Sequence, residues 1–449
     1  NPPELDGGDS SFAPALTHVS GLLYRTSYTL PFAHTTWDDL SNGTKGDPLL
    51  MLYEDGQWLR GWRGGEWSEL GCPYSALADL DPSTDEPAPS GREIRIPGRF
   101  YYDDAADQLY VWSKDETDPT GHDFQIPILK NLVAISAAGV TLRDLVLKHS
   151  YYYPVTIDSA GDNATVEGCY IINTGPWAVR ARDAAGVVLR RNFIQLNGFY
   201  ERQDYISVRF NRLKGALVSI SGYADAAGCE VADNVVTGTY GISARGQGCR
   251  IHDNIVSRSQ SILVMTQVES SIPDVGYDHD VRIYRNILHD ADFSAFTNYN
   301  TLDQADNVYF GDTYYYRNLI YAVRYVSKEG CQNSLCDATP DAFIYNNTFA
   351  LGKLIAQHPY RFPVMGSTVY RNNIFQLRYG SMEMYWAYDA DPPRDPADGW
   401  EYQPFVNGPN SDFNLCWRDP VNDWQQIARF RNVDDPTQSY AVGEFALMQ

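Results

Sequence analysis

Two sets of side chains in this chain have the types needed for work on a polymer of sugars. Cleavage by hydrolysis needs two carboxyl groups about 5 to 9.5 Å apart, one protonated, acting as acid and as base or nucleophile. Asp290 and Asp292 in LHDADF are candidates, with Glu201, Asp204, Asp278 and Asp280 beside them among 57 acidic residues. Elimination or epimerisation instead needs a cation to neutralise a uronate carboxylate and a base to take the C5 proton. Arg180, Arg182, Arg245 and Lys214 supply cations, and Tyr277, His279 and His289 supply bases. The sequence names no cofactor, and Ca2+ is compatible with the second route. The eight His show no HxxxH or HExxH spacing and no CxxC pair occurs, so no zinc site is expected.

Those cations sit in strand-like runs. WAVRAR (177–182) turns Val179 and Ala181 to one side and Arg180 and Arg182 to the other, and YGISAR (240–245) does the same for Ser243 and Arg245. Three guanidiniums on one face could hold a carboxylate or sulfate bidentately; pairing with Asp158 or Asp183 is the competing use. Trp177, Tyr200 and the run His149, Tyr151, Tyr152, Tyr153 offer ring platforms for sugars, a role that ordinary strand packing also explains.

Such runs recur. An apolar residue, any residue, an apolar residue, two of any kind, Asn, any residue and an apolar residue describe VVLRRNFI, ISVRFNRL, CEVADNVV, CRIHDNIV, VRIYRNIL, TYYYRNLI, AFIYNNTF and STVYRNNI. Two earlier copies, VTLRDLVL and ATVEGCYI, put Leu145 and Cys169 in the Asn slot. The slot then runs through Asn192, Asn211, Asn234, Asn254, Asn286, Asn318, Asn347 and Asn372, at spacings of 24, 23, 19, 23, 20, 32, 32, 29 and 25 residues. Rungs of this length with alternating apolar positions mean strands coiled into a solenoid. The Asn is expected to take a left-handed backbone at a tight turn and to bond its counterpart one rung away. Cys229 and Cys249 share a slot in neighbouring rungs and should stack inward about 5 Å apart, as thiols or as a rung-to-rung disulfide. Cys331 and Cys336, five apart in a polar loop, suit a local disulfide.

Three strands per rung with this Asn position resemble the right-handed parallel β-helix of the pectin-lyase-like superfamily, over about 130–375. The resemblance implies an all-β fold of about ten rungs, and a substrate groove along the first strand of each rung. The superfamily hosts polysaccharide lyases and β-helix glycoside hydrolases, and also epimerases, esterases, tailspikes and adhesins. YDHD (277–280) resembles the Tyr, Asp and His of uronate epimerases at a different spacing, and the acid trio of the polygalacturonase-like hydrolases is absent. The turns after the first strand lengthen at 266–280, 299–312, 327–341 and 356–367, where binding groups tend to gather.

Residues 1–125 lack the repeat and read as a β-rich N-terminal capping domain that covers an otherwise aggregating edge. Residues 126–380 form the β-helix, and 381–449 an irregular C-terminal cap in which SDFNLCW makes a partial last rung. The balance of 35 Lys and Arg against 57 Asp and Glu, net −22, argues against nucleic acid or anionic membranes as partners. No run of 18 apolar residues is present to span a membrane. The expectation is a secreted, extracellular or periplasmic protein, read in mature form, that acts on an acidic polysaccharide by lyase or hydrolase chemistry. The alternatives are a non-catalytic structural or adhesive protein that self-assembles into a homo-oligomer or filament, and a glycan-binding module without chemistry.

Overall fold

The structure, a computed structural model, describes residues 2–31, 51–62, 98–103, 106–113, 115–174, 178–195, 218–221, 227–237, 241–244, 248–259, 262–268, 280–300, 313–331, 342–352 and 369–377, with short strands at 382–386, 411–412, 415–418, 428–432 and 439–442. It is all-β among these residues, apart from one 3-10 turn at Pro119–Gly121. No helix there is long and apolar enough to cross a membrane.

Parallel strands stack rung on rung along three faces. The first face carries Val133–Ile135, Val155–Ile157, Val179–Arg182, Val218–Ser221, Ile242–Ala244 and Ile262–Val268. The second runs from Thr141–Arg143 through Thr165–Glu167, Val188–Arg190, Glu230–Ala232, Arg250–His252, Val281–Tyr284, Thr313–Tyr316 and Ala342–Tyr345 to Val369–Arg371. The third begins with Val146–Lys148, Tyr170–Ile172, Phe193–Gln195, Val235–Thr237 and Ile255–Ser259. In the later rungs the long strands Ile287–Asn300 and Leu319–Cys331 bend from the third face into the first. Ser411–Asp412 and Leu415–Arg418 add a tenth rung, where SDFNLCW was expected to make one. This is the parallel β-helix that the repeat implied.

Register explains the repeat. The middle residue of each second-face strand points inward, so Val166, Leu189, Val231, Ile251, Ile283, Tyr315 and Ile344 form one buried column. Leu147, Ile171, Ile194, Val236, Val256, Leu288, Ile320 and Phe349 form its counterpart on the third face. Cys229 and Cys249 are adjacent in register and fully buried, and they are thiols rather than a disulfide. Cys336 and the side chain of Cys331 lie outside the described residues.

Between these two faces runs a buried ladder of Asn192, Asn234, Asn254, Asn286, Asn318, Asn347 and Asn373. Each Oδ1 from Asn234 onward accepts from both the backbone N–H and the Nδ2 of the Asn one rung earlier, at 2.9 to 3.1 Å. Each Nδ2 also donates to an inward-column carbonyl, as Asn254 does to Val231 at 2.8 Å.

Three expectations are corrected here. Asn373, not Asn372, occupies the last of these slots: in RNNI the register is one residue later than the sequence suggested, and Asn372 is exposed at the preceding corner. Asn211 lies outside the described residues, and the ladder steps straight from Asn192 to Asn234, so ISVRFNRL does not supply a member. The left-handed residue is not the ladder Asn but the one before it: Asp144, Arg191, Asp233, Asp253, Arg285, Arg317, Asn346 and Asn372 have φ between 53° and 57°. The ladder Asn is thereby freed to aim its amide along the axis.

Before the first rung, Glu4–Asp6 pairs in parallel with Val146–Lys148 and extends the third face by one strand. A separate seven-stranded sheet runs Thr17–Ser20, Leu23–Ser27, Gln108–Trp112, Arg99–Asp103, Gln57–Trp62, Leu52–Glu54, Phe124–Gln125. It has its own core, which includes Leu52, Leu59, Phe100, Leu109 and Phe124. It reaches the β-helix through Tyr53, whose buried hydroxyl donates to the Thr174 carbonyl at 2.7 Å and whose ring lies 5.3 Å from that of His149.

Candidate functional site

On the first face the alternation of the strand decides which groups meet solvent. Val179 and Ala181 are buried, Arg180 is half-buried and Arg182 is exposed, as the pattern WAVRAR required. Arg180 is in register with Thr156 on one side and Ser219 on the other. Its guanidinium sits 5.5 Å from the ring centroid of Tyr153. Tyr153 is packed edge-on against Tyr152 at 4.6 Å, and Lys130 Nζ lies 5.1 Å from the Tyr152 ring. The corner before the first-face strand of the second rung therefore carries a row of cation, ring, ring, cation.

Neither Lys130 nor Arg180 meets a carboxylate among the described residues. Attraction of a cation to a ring face leaves its outer N–H groups able to bind an anion. Thr156, on the same strand edge, has its hydroxyl 3.3 Å from the Asn131 amide. Arg182 is used differently: its Nε lies 3.3 Å from Asp183, the pairing weighed from the sequence. Asp158 accepts from Ser136 at 2.6 Å and from the Ala160 N–H at 3.0 Å.

Of the other candidates, Asp280, His289, Asp290 and Asp292 fall on described residues of later rungs. Asp290 stands in a left-handed corner (φ 56°), where Ile287–Asn300 passes from the third face to the first, and its Oδ2 lies 2.8 Å from His289 Nδ1. The His289 ring is stacked on Tyr321 at 4.7 Å. Asp292 lies on the same strand, two residues further. Asp290 leads into the first-face segment four strands beyond that of Arg180, about 19 Å along the axis at the usual strand spacing. Asp280 holds Arg282 through two bonds of 2.7 and 2.9 Å, which removes it from the free carboxylates. Trp177, Tyr200, Glu201, Asp204, Lys214, Arg245, Tyr277, Asp278 and His279 lie outside the described residues, as do most of the lengthened turns. Among the described residues no cluster of three or more His, Cys, Asp or Glu is placed to hold a metal ion.

Two polar clusters escaped the sequence reading. His149, expected to face a groove, is instead almost fully buried. Its Nδ1 lies 2.8 Å from Asp6 Oδ1, and its Nε2 is buried with no hydrogen-bond partner. Burial pulls the imidazole below its ordinary pKa, the Asp6 bond and charge only partly opposing this. Burial also pushes Asp6 up, but the Gly8 N–H and His149 bonds and the His149 and Lys148 charges outweigh it, so that carboxyl titrates low. On the second face His252 lies between Glu230 (2.8 Å) and Asp253 (2.7 Å), and Asp253 also holds Arg285. The Arg285 bond, against some desolvation, keeps the Asp253 carboxyl below the usual range. The repeat alignment already put Glu230 and Arg250 in one slot and His252 and Tyr284 in the next. Outward slots were not read as columns, and that was the missed signal.

No protein-family model matches the chain, and no curated protein matches it. Among solved structures it is similar to one described as "The complex structure of XylC with xylose", at 11% identity over 93% of this chain and 75% of that one, with a TM-score of 0.43. A second, described as "Glycoside hydrolase", is 11% identical over 82% of each chain, with a TM-score of 0.41. Likenesses this distant leave the chemistry to this chain's own residues.

Proposed function

We propose that this chain is a carbohydrate-active β-helix protein that holds an acidic polysaccharide along its first face. The observation that carries the reading is Arg180. In a chain with 57 acids and 35 bases, a half-buried guanidinium on a strand face would be expected to find a carboxylate, yet this one lies over Tyr153. With Lys130 at the far end of the same row, it offers two cations flanking aromatic surface, which suits a chain of uronate or sulfated sugars. Lyase or hydrolase turnover would fall to other residues of the chain, with Asp290 and Asp292 on a later rung, and Tyr277 and His279 outside the described residues, as the candidates. An extracellular or periplasmic setting, where such polymers occur, goes with the proposal.

The test is a screen of the full chain on polygalacturonate, alginate, glycosaminoglycans and neutral glycans. Ultraviolet absorbance reads unsaturated uronate, and reducing ends read hydrolysis. Arg180→Ala should weaken binding of the acidic polymer by about 1 to 3 kcal/mol, the worth of a charge-assisted bond. Binding lost in Arg180→Ala, with no product from wild type, would reduce the protein to a glycan-binding scaffold. Equal binding by wild type and variant would remove the first face as the site.

A further inference from the structure

The outward slots of the second face change character along the helix. One column reads Thr141, Thr165, Val188, Glu230, Arg250, Arg282, Tyr314, Phe343; the other reads Arg143, Glu167, Arg190, Ala232, His252, Tyr284, Tyr316, Tyr345, Arg371. The early rungs are covered by ion pairs such as those of Glu167 with Arg190 and Arg191. The later rungs carry rings. Tyr284 stacks on Tyr316 at 4.9 Å and 5°, and Tyr314 on Phe343 at 5.0 Å and 14°. Phe343 then meets Tyr345 across the columns at 5.9 Å.

Because the rings stack along the axis, their faces are mutually covered, while the half-buried side chains keep an outer margin at the surface. The tyrosine hydroxyls in this patch lie at the ends of those rings, repeated at the rung spacing. Two exposed guanidiniums border it. Arg317 occupies the left-handed corner next to Tyr316, and Arg371 follows Tyr345 in its column. Neither meets a carboxylate among the described residues, unlike Arg190, Arg282 and Arg285 on the same side.

From this we propose that the second face over the Tyr284, Tyr314, Tyr316 and Tyr345 rungs is a separate docking strip for an anionic, hydroxyl-rich polysaccharide strand, anchored by Arg317 and Arg371. Charge complementarity selects that occupant. Two guanidiniums with no carboxylate among the described residues make a local cationic spot that favours an anionic group against the field of a chain of net charge −22, and a row of phenol rings bearing hydroxyls favours a ligand that brings many hydroxyl groups of its own. A neutral apolar partner would leave both guanidiniums desolvated and unpaired. The strip goes beyond the first-face reading and stands without it.

Native gel electrophoresis of the full chain through polygalacturonate, dextran sulfate or plain dextran tests it. Arg317→Gly is a suitable variant because glycine accepts the left-handed corner; Arg371→Ala and the double variant complete the set. Arg143→Ala removes one charge from the same face outside the aromatic rungs. Retardation in at least one anionic gel and not in dextran is expected, the two anionic gels distinguishing carboxylate from sulfate recognition. It should persist in Arg143→Ala and, measured in an Arg180→Ala background so that the first face does not contribute, fall about tenfold in apparent affinity in the double variant, one or more charge-assisted bonds being lost. Wild-type retardation in the double variant would overturn the proposal. So would equal retardation in dextran, or a change in oligomeric state with no change in retardation, which would make the strip a contact between copies of this chain.

Discussion

Replacing Asn254 by Leu probes the ladder at its middle. The Asn254 side chain makes five bonds: Nδ2 donates to Val231 O (2.8 Å), His252 O (2.9 Å) and Asn286 Oδ1 (3.0 Å), while Oδ1 accepts from Asn234 N (3.0 Å) and Asn234 Nδ2 (2.9 Å). Leu makes none of them. The Asn234 Nδ2 keeps Leu189 O, and Asn286 Oδ1 keeps the backbone N–H of residue 254. The buried Asn234 N–H loses its ladder acceptor, which costs about 1 to 3 kcal/mol, and the weakened Val231 and His252 carbonyls bring the total to roughly 2 to 4 kcal/mol. Volume adds little, because Leu145 occupies the same slot in the first rung. Asn192→Leu should cost less: its Oδ1 accepts only from Cys169 N (3.0 Å), and it makes three side-chain bonds rather than five. Urea unfolding of both variants reads the difference as a shift in midpoint at constant m. A shift for Asn254→Leu equivalent to less than about 0.5 kcal/mol, or the reverse order of the two, would refute the ladder as a source of stability.

The thiols and the buried imidazole give two more expectations. Cys169, Cys229 and Cys249 should be inert to an aromatic disulfide reagent in the native protein and react on unfolding; Cys229→Val with Cys249→Val, a nearly volume-conserving change, should cost less than about 1.5 kcal/mol. A mass showing a disulfide between Cys229 and Cys249 would contradict this. The folded-state pKa of His149 is lowered, so the unfolded chain binds its proton first; stability should fall as pH drops through about 6.5, the unfolded value, until the folded imidazole protonates. Asp6 and Asp253 titrate low in the folded state, so their contributions persist to lower pH and go as it passes below the ordinary carboxylate value. His149→Phe should flatten the upper limb of the stability profile and also reduce the Asp6 part of the lower one, which the His149 bond supports, while the Asp253 part stays; an unchanged upper limb would show that the imidazole is not its source.

The repeat was legible because two independent signals coincide in it, an inward apolar residue every second position and an Asn whose amide has work only at that corner. Its errors come from the same source. ISVRFNRL satisfies every position of the pattern, so the local sequence cannot tell it from a rung; only the direct bond from Asn192 to Asn234 can. RNNI offers two Asn, and a slip of one residue exchanges a buried ladder amide for an exposed corner. The Arg182 pair with Asp183 was readable because the partners are neighbours in sequence. The row from Lys130 through Tyr152 and Tyr153 to Arg180 was not, because it exists only once the rungs are stacked.

The corner before the ladder shows how far stacking overrides local preference. A left-handed backbone costs a residue with a Cβ about 1 to 2 kcal/mol, and glycine escapes that cost. Yet in this column only Gly168 takes the easy solution, while Arg191, Arg285 and Arg317 hold φ of 54° to 57°. The corner is enforced by the ladder on its inner side, so its own residue is free to be chosen for what it presents outward. Arg191 reaches Glu167, and Arg285 reaches Asp253 and covers the Tyr284 ring at 4.9 Å, each binding one rung to the one before it. Arg317 accepts the same backbone penalty without a carboxylate among the described residues. The ladder carries that backbone cost whichever residue stands at the corner, so Arg317 presents its guanidinium outward beside the Tyr316 ring, as the proposed strip requires.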